Sequence, residues 1–251
     1  MSKLSDRIRR AGRVEAAPMG FAAAAARAPA PTLLTIVRLP SNDVGKAAEA
    51  AKNGADAIII DDADAGKVTQ AVGKADETAI GARPKAEPNA VEVVALRDAG
   101  ADFVVLDVAT ALAEVLLQDK IGFVLQVSLE RDDAGLRQLA DLGLDAIIVP
   151  VAQGALLIEQ MLALRRVSAL SRVAVLVEVK TEVSANELQV LRESGVAGVI
   201  IDSTSLGKIG RLREAIGSLP ARGKKREEHG EATIPPLAGV SSDHDHDDDD
   251  D

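Results

Sequence analysis

Gly54-Ala-Asp-Ala-Ile-Ile-Ile-Asp61 is one of four versions of a single phrase, and its reading decides the fold. The others are Gly100-Ala-Asp-Phe-Val-Val-Leu-Asp107, Gly143-Leu-Asp-Ala-Ile-Ile-Val-Pro150 and Gly195-Val-Ala-Gly-Val-Ile-Ile-Asp202. Successive copies begin 46, 43 and 52 residues apart, the spacing of a repeated supersecondary unit. Each copy follows an amphipathic stretch such as Val91-Glu-Val-Val-Ala-Leu-Arg-Asp-Ala99, in which apolar residues recur at helical intervals. The Gly that opens the phrase suits the left-handed residue that ends a helix. The apolar run behind it is continuous and rich in Ile and Val, as a strand buried on both faces requires.

Four more apolar runs lie before and between the copies, at residues 33–39, 78–83, 122–128 and 173–179. Strand and helix patterns then alternate eight times between residues 33 and 219. Eight parallel strands with helical crossovers predict a single (β/α)8 TIM barrel. A doubly wound open sheet uses the same units, but the regular repeat and the count of eight favour closure. The expected organisation is an N-terminal extension at 1–31, a barrel at 32–220 and a disordered acidic tail at 221–251. The tail alternates charge blocks with no apolar period, apart from Ile234-Pro-Pro-Leu-Ala-Gly-Val240.

Composition narrows the chemistry. The 251 residues include no Cys, Trp or Tyr, so the core must be built from Ala, Val, Ile and Leu with Phe21, Phe103 and Phe123. Disulfides, thiolate metal sites and cysteine nucleophiles are excluded. His229, His244 and His246 all lie in the tail, which leaves the barrel without an imidazole base or a His-ligated zinc. Seven Asp residues of the run 241–251 account for most of the net charge of −10. The body is nearly balanced and has no basic stripe, so nucleic acid is not an expected partner. Apolar runs are too short to span a bilayer, and Asp6 and Glu15 argue against a transit peptide. A cytoplasmic protein with a small-molecule ligand is expected, and a homo-oligomer is compatible with the sequence. No glycine-rich nucleotide loop and no haem pattern occurs.

A barrel works at the C-terminal ends of its strands. Aligning the phrases puts Asp61, Asp107, Pro150 and Asp202 at one position on strands 2, 4, 6 and 8. The odd strands bring Arg38, Gln126 and Glu178 to the neighbouring level, with Arg83 and Lys180 close by. Glu178 and Lys180, two apart on one strand, should share a face. These groups supply two chemistries. Carboxylates Asp61, Glu178 and Asp202 could hold Mg²⁺ or Mn²⁺. Alternatively, Lys180 could form a Schiff base, with Glu178 and Asp107 moving protons. Arg38, Arg83 and Gln126 would bind the substrate. Ser203 and Ser205, after strand 8, could hold a phosphate through a helix start. The same residues have plainer readings, since Asp and Ser at strand ends also serve as turn residues and helix caps.

Two segments resemble the HpcH/HpaI aldolase and citrate lyase β group. Val37-Arg-Leu-Pro-Ser-Asn-Asp43, running into Gly54-Ala-Asp-Ala-Ile-Ile-Ile60, is similar to that family's arginine-bearing strand and the strand after it. Leu176-Val-Glu-Val-Lys-Thr-Glu182, together with Gly195 to Asp202-Ser-Thr-Ser-Leu-Gly207, resembles its metal-binding strands. The resemblance implies Arg38 as an oxo-acid ligand, Glu178 and Asp202 as metal ligands, and an aldolase or lyase activity. The rival expectation is a barrel without catalysis that serves in binding or assembly.

Overall fold

The computed structural model describes residues 2–12, 32–75, 77–151, 155–179 and 183–220. Residues 13–31, Lys180 and the acidic tail from 221 onward lie outside the described residues, and with them the expectations placed there. Eight strands form: β1 (Leu34–Leu39), β2 (Ala57–Asp61), β3 (Ala79–Arg83), β4 (Phe103–Asp107), β5 (Gly122–Gln126), β6 (Ala146–Val149), β7 (Val175–Glu178) and β8 (Val196–Asp202). Each pairs in parallel with the next, and β8 closes on β1, so the open-sheet alternative is excluded.

Helices α2 (Ala47–Lys52), α3 (Ala65–Ala75) and α4 (Ala90–Asp98) follow β1, β2 and β3. Helices α5 (Asp133–Gln138), α6 (Ile158–Ser171), α7 (Ala185–Glu193) and α8 (Ile209–Gly217) follow β5 to β8. The expected helix after β4 is instead a short 3₁₀ helix, Ala113–Leu117, with Val115 as its buried residue. The glycine of each phrase adopts positive φ, between 67° at Gly143 and 98° at Gly100, a conformation that residues with a side chain rarely adopt.

Side chains alternate along a strand, which divides the apolar residues into two cores. Val37, Ile58, Ile60, Val104 and their counterparts pack outward against the helices. Leu34, Ile36, Ile59, Val105, Val124, Ile148, Leu176 and Ile200 fill the barrel. Phe103 also points inward, and Gly81 makes room for it: a Cβ there would lie 2.2 Å from the ring. The register rises in regular steps. Arg38 pairs with Ile59, Gln126 with Ile148 and Glu178 with Ile200, each partner two residues below the end-of-strand position on its strand. Asp61 pairs level with Arg83, Asp107 with Gln126 and Asp202 with Arg38. A step of two at alternate junctions produces the shear of 8 typical of this barrel.

The bottom of the barrel is closed by a helix that the sequence left inside an unassigned extension. In α1 (Lys3–Gly12), Leu4 is fully buried among Leu34, Phe103 and the other interior residues. The third residue of the repeated phrase holds this helix in place. Asp102 accepts the backbone N–H groups of Lys3 and Leu4 at 2.7 and 2.9 Å, capping the first turn. Asp145 accepts the Ser2 hydroxyl, and Arg7 donates to the Asp56 carbonyl. Burial pushes the Asp56 and Asp145 carboxyls above the ordinary aspartate range, although the Thr35 N–H and the Ser2 hydroxyl, respectively, act against it.

Candidate functional site

The register delivers two layers of inward-facing groups to the C-terminal rim. The odd strands contribute Arg38, Arg83, Gln126 and Glu178, and the even strands Asp61, Asp107, Asp202 and the position of Pro150. All of these rim residues therefore stand where the phrase alignment expects them. Their contacts divide the mouth into two halves.

On the β7–β8–β1–β2 side the charges satisfy one another. Arg38 donates from Nε to Asp61 Oδ2 at 2.8 Å and from Nη1 to Glu178 Oε1. Partial burial alone would lower the Arg38 pKa, but the Asp61 hydrogen bond and the charges of Asp61, Glu178 and Asp202 outweigh it and raise the pKa. This geometry bears on two expectations. The Arg38 guanidinium, expected to clamp an oxo-acid, is engaged by two carboxylates. Glu178, Asp202 and Asp61 do not fit Mg²⁺ or Mn²⁺ as arranged. A cationic side chain lies between two of the three, and among the described residues no group of three or more His, Cys, Asp or Glu could hold a metal ion.

The β2–β5 side is open. A cavity of about 400 Å³ is lined by Asp61, Arg83, Asp107 and Gln126 from the rim, and by Asp62, Lys85, Glu87 and Thr110 from the loops above it. That size falls within the range of small-molecule sites. Arg83 donates from Nη2 to Gln126 Oε1 at 3.0 Å and approaches Asp61 Oδ1 only at 3.8 Å, so its charge is weakly neutralised. Asp107 accepts the Ala109 N–H on Oδ1 at 2.8 Å, a turn contact that holds the carboxylate in place. The Thr110 hydroxyl donates to Glu87 Oε1 at 2.9 Å and ties the loop after β3 to the loop after β4.

Ser203 and Ser205 do not line this cavity. The Ser203 hydroxyl donates to Asp43 Oδ2 at 3.3 Å, and Ser205 is buried in the 3₁₀ helix Ser203–Lys208. Sequence reasoning missed Asp62, Lys85, Glu87 and Thr110, which belong to irregular loops where periodicity carries no signal. The doubled Asp61-Asp62 was the one available hint. Asp62 has φ of 47°, a left-handed conformation that Asp tolerates better than most residues, and it turns the chain sharply at the cavity lip.

No family model and no curated protein matches the sequence. Solved structures do match. KGPDC from Streptococcus mutans superposes with a TM-score of 0.59 at 14% identity, over 74% of this chain and 98% of that one. A 3-hexulose-6-phosphate synthase gives 0.57 at 15% identity, over 73% and 99%. A mutant tryptophan synthase α-subunit from Pyrococcus furiosus gives 0.56 at 14% identity, over 74% and 97%. No helix among the described residues is long and apolar enough to cross a membrane. At these identities the likeness is one of architecture, and it agrees with the strand order and register: the chain folds as a single closed (β/α)8 barrel.

Proposed function

We propose that the protein is a lyase-type enzyme acting on a small acid bound in the β2–β5 half of the barrel mouth. The observation that carries this reading is Arg83, a partly exposed guanidinium whose hydrogen bond goes to a neutral amide, facing a cavity that also presents Asp107. In this reading Arg83 and Lys85 hold the acid group of an oxo-acid or a phosphorylated compound. Asp107 removes a proton from the carbon next to the carbonyl, and the electron pair moves onto the carbonyl oxygen. Gln126, whose carbonyl is engaged by Arg83, keeps its amide N–H groups to donate to that developing enolate. The names of the structural neighbours, a hexulose phosphate synthase among them, support barrel chemistry on small molecules as the class of function.

The test is proton exchange. Pyruvate and 2-oxobutyrate are incubated with the protein in D₂O, and loss of the C3 protons is followed by NMR. The expected result is exchange above the protein-free rate that falls about 10²-fold or more in Asp107→Asn, the usual worth of a positioned base. Exchange that persists in Asp107→Asn would overturn the assignment of the base. The Arg38 ion pairs, which close half of the mouth, favour a second reading as a binding barrel without catalysis. Ligand binding with no exchange would support that reading.

A further inference from the structure

We propose that the ligand of this cavity is a zwitterion of the amino-acid type, with a carboxylate and a protonated amine a few bonds apart. The proposal rests on the reading of the β2–β5 cavity as the substrate site and narrows its substrate from a plain oxo-acid to an acid that also carries a protonated amine. Its basis is the placement of unneutralised charge. Arg83 and Lys85 come from β3 and the loop after it, whereas Asp62, just after β2, and Asp107, at the end of β4, flank them. Asp61 is held by Arg38 at 2.8 Å and approached by Arg83 only at 3.8 Å, which leaves most of the Arg83 charge to a ligand. Among the described residues Lys85, Asp62 and Asp107 take part in no ion pair. Asp107 Oδ1 is engaged by a backbone N–H, and Oδ2 accepts no hydrogen bond from the described residues.

The lining thus sets Arg83 and Lys85 between Asp62 and Asp107, with Glu87 beside Lys85 as a further carboxylate without an ion pair among the described residues. A simple acid would satisfy Arg83 and Lys85 but would sit against Asp62 and Asp107 with like charge. A simple amine would meet the reverse problem. Like-charge contacts of this kind set specificity by repulsion as much as attraction does. A molecule bearing both groups complements both sets of residues, and the cavity, about 400 Å³, restricts it to a small one. Glu87 adds a further acceptor at the rim, held by the Thr110 hydroxyl.

The experiment is a calorimetric titration of the full chain with the common amino acids. The tightest binder is then compared with its deaminated and decarboxylated counterparts; for serine these are 3-hydroxypropanoate and ethanolamine. The amino acid is expected to bind about tenfold or more tighter than either counterpart, as two charge-assisted contacts should against one. Arg83→Gln should erase the advantage over the amine, and Asp107→Asn the advantage over the acid. Lys85→Gln, at an exposed loop position, provides a second variant if Arg83→Gln melts early by circular dichroism. If either counterpart binds as tightly as the amino acid, the zwitterion assignment is wrong. In the case of the acid, with binding lost in Arg83→Gln, the cavity still stands as an acid-binding site. If no amino acid and neither the oxo-acids nor the counterparts bind, both readings fall together.

Discussion

Replacing Leu4 with Ala tests whether α1 is part of the barrel rather than an appendage. Leu4 is fully buried and packs into the interior cluster with Leu34 and Phe103, so the truncation removes core contacts and opens a void under the barrel. Leu→Ala changes at such sites cost 2–5 kcal/mol, and a short helical plug that can shift toward the void points to about 3 kcal/mol. For a domain of this size that is a fall in Tm of about 6–12 °C. The chain has no Trp or Tyr, so melting is best followed by circular dichroism or calorimetry. Asp102→Ala, which uncaps the Lys3 and Leu4 N–H groups, should cost about 1 kcal/mol by itself. Because both changes release one helix, the double variant should cost less than the sum of the two. A Leu4→Ala Tm within about 1–2 °C of the parent, as for a typical surface substitution, would refute the plug.

Gly81→Ala should destabilise by about 1–3 kcal/mol through overpacking against Phe103, and Phe103→Leu in the same chain should restore much of the loss, as read by urea melts. Asp145 and Asp56 have raised folded pKa values, so the folded state holds their protons more tightly than the unfolded state does. Stability tied to them is therefore full below the ordinary aspartate pKa and is lost as pH rises through the raised value. Asp145→Asn should flatten that slope in a series of melts from pH 7 down to pH 4, and an unchanged profile would count against the assignment. Arg38→Gln strips the partner from Asp61 and Glu178 and should lower stability by about 1–3 kcal/mol. The companion variant Arg38→Gln/Glu178→Gln should recover part of the loss in the same assay.

The fold was legible because one phrase carries several consistent signals at once. Gly54 and its equivalents mark helix ends, the Ile-rich run marks a strand, and the position of Asp61 gives that strand its phase. Phase then placed Arg38, Asp61, Asp107, Gln126, Glu178 and Asp202 at one rim. It gave the level of each group but not its reach. An arginine side chain spans several ångströms, and nothing in the spacing shows Arg38 turning sideways to both Asp61 and Glu178 instead of upward to a ligand. That turn sets the guanidinium expected to clamp an oxo-acid between two of the carboxylates expected to hold a metal. Lys85, Glu87 and Thr110 stayed hidden because loop conformation depends on tertiary contacts such as the Thr110–Glu87 bond. Helix α1 was obscured by composition: its charged residues outnumber the three apolar ones, Leu4, Ile8 and Ala11, that face the interior cluster.

The aspartates of the repeated phrase stand at both ends of the same strand, and the four copies treat the two ends differently. The first and second copies carry both, Asp56 with Asp61 and Asp102 with Asp107. The third keeps the lower one, Asp145, and has Pro150 above; the fourth has Ala197 below and keeps Asp202 above. Within a single chain, then, the anchoring end and the chemical end vary independently of each other. A unit of this kind can be copied, grafted or re-equipped at its upper end while its lower end continues to hold the plug. A substitution at an upper position such as Asp61 or Asp107 therefore leaves the lower contacts that hold α1 in place.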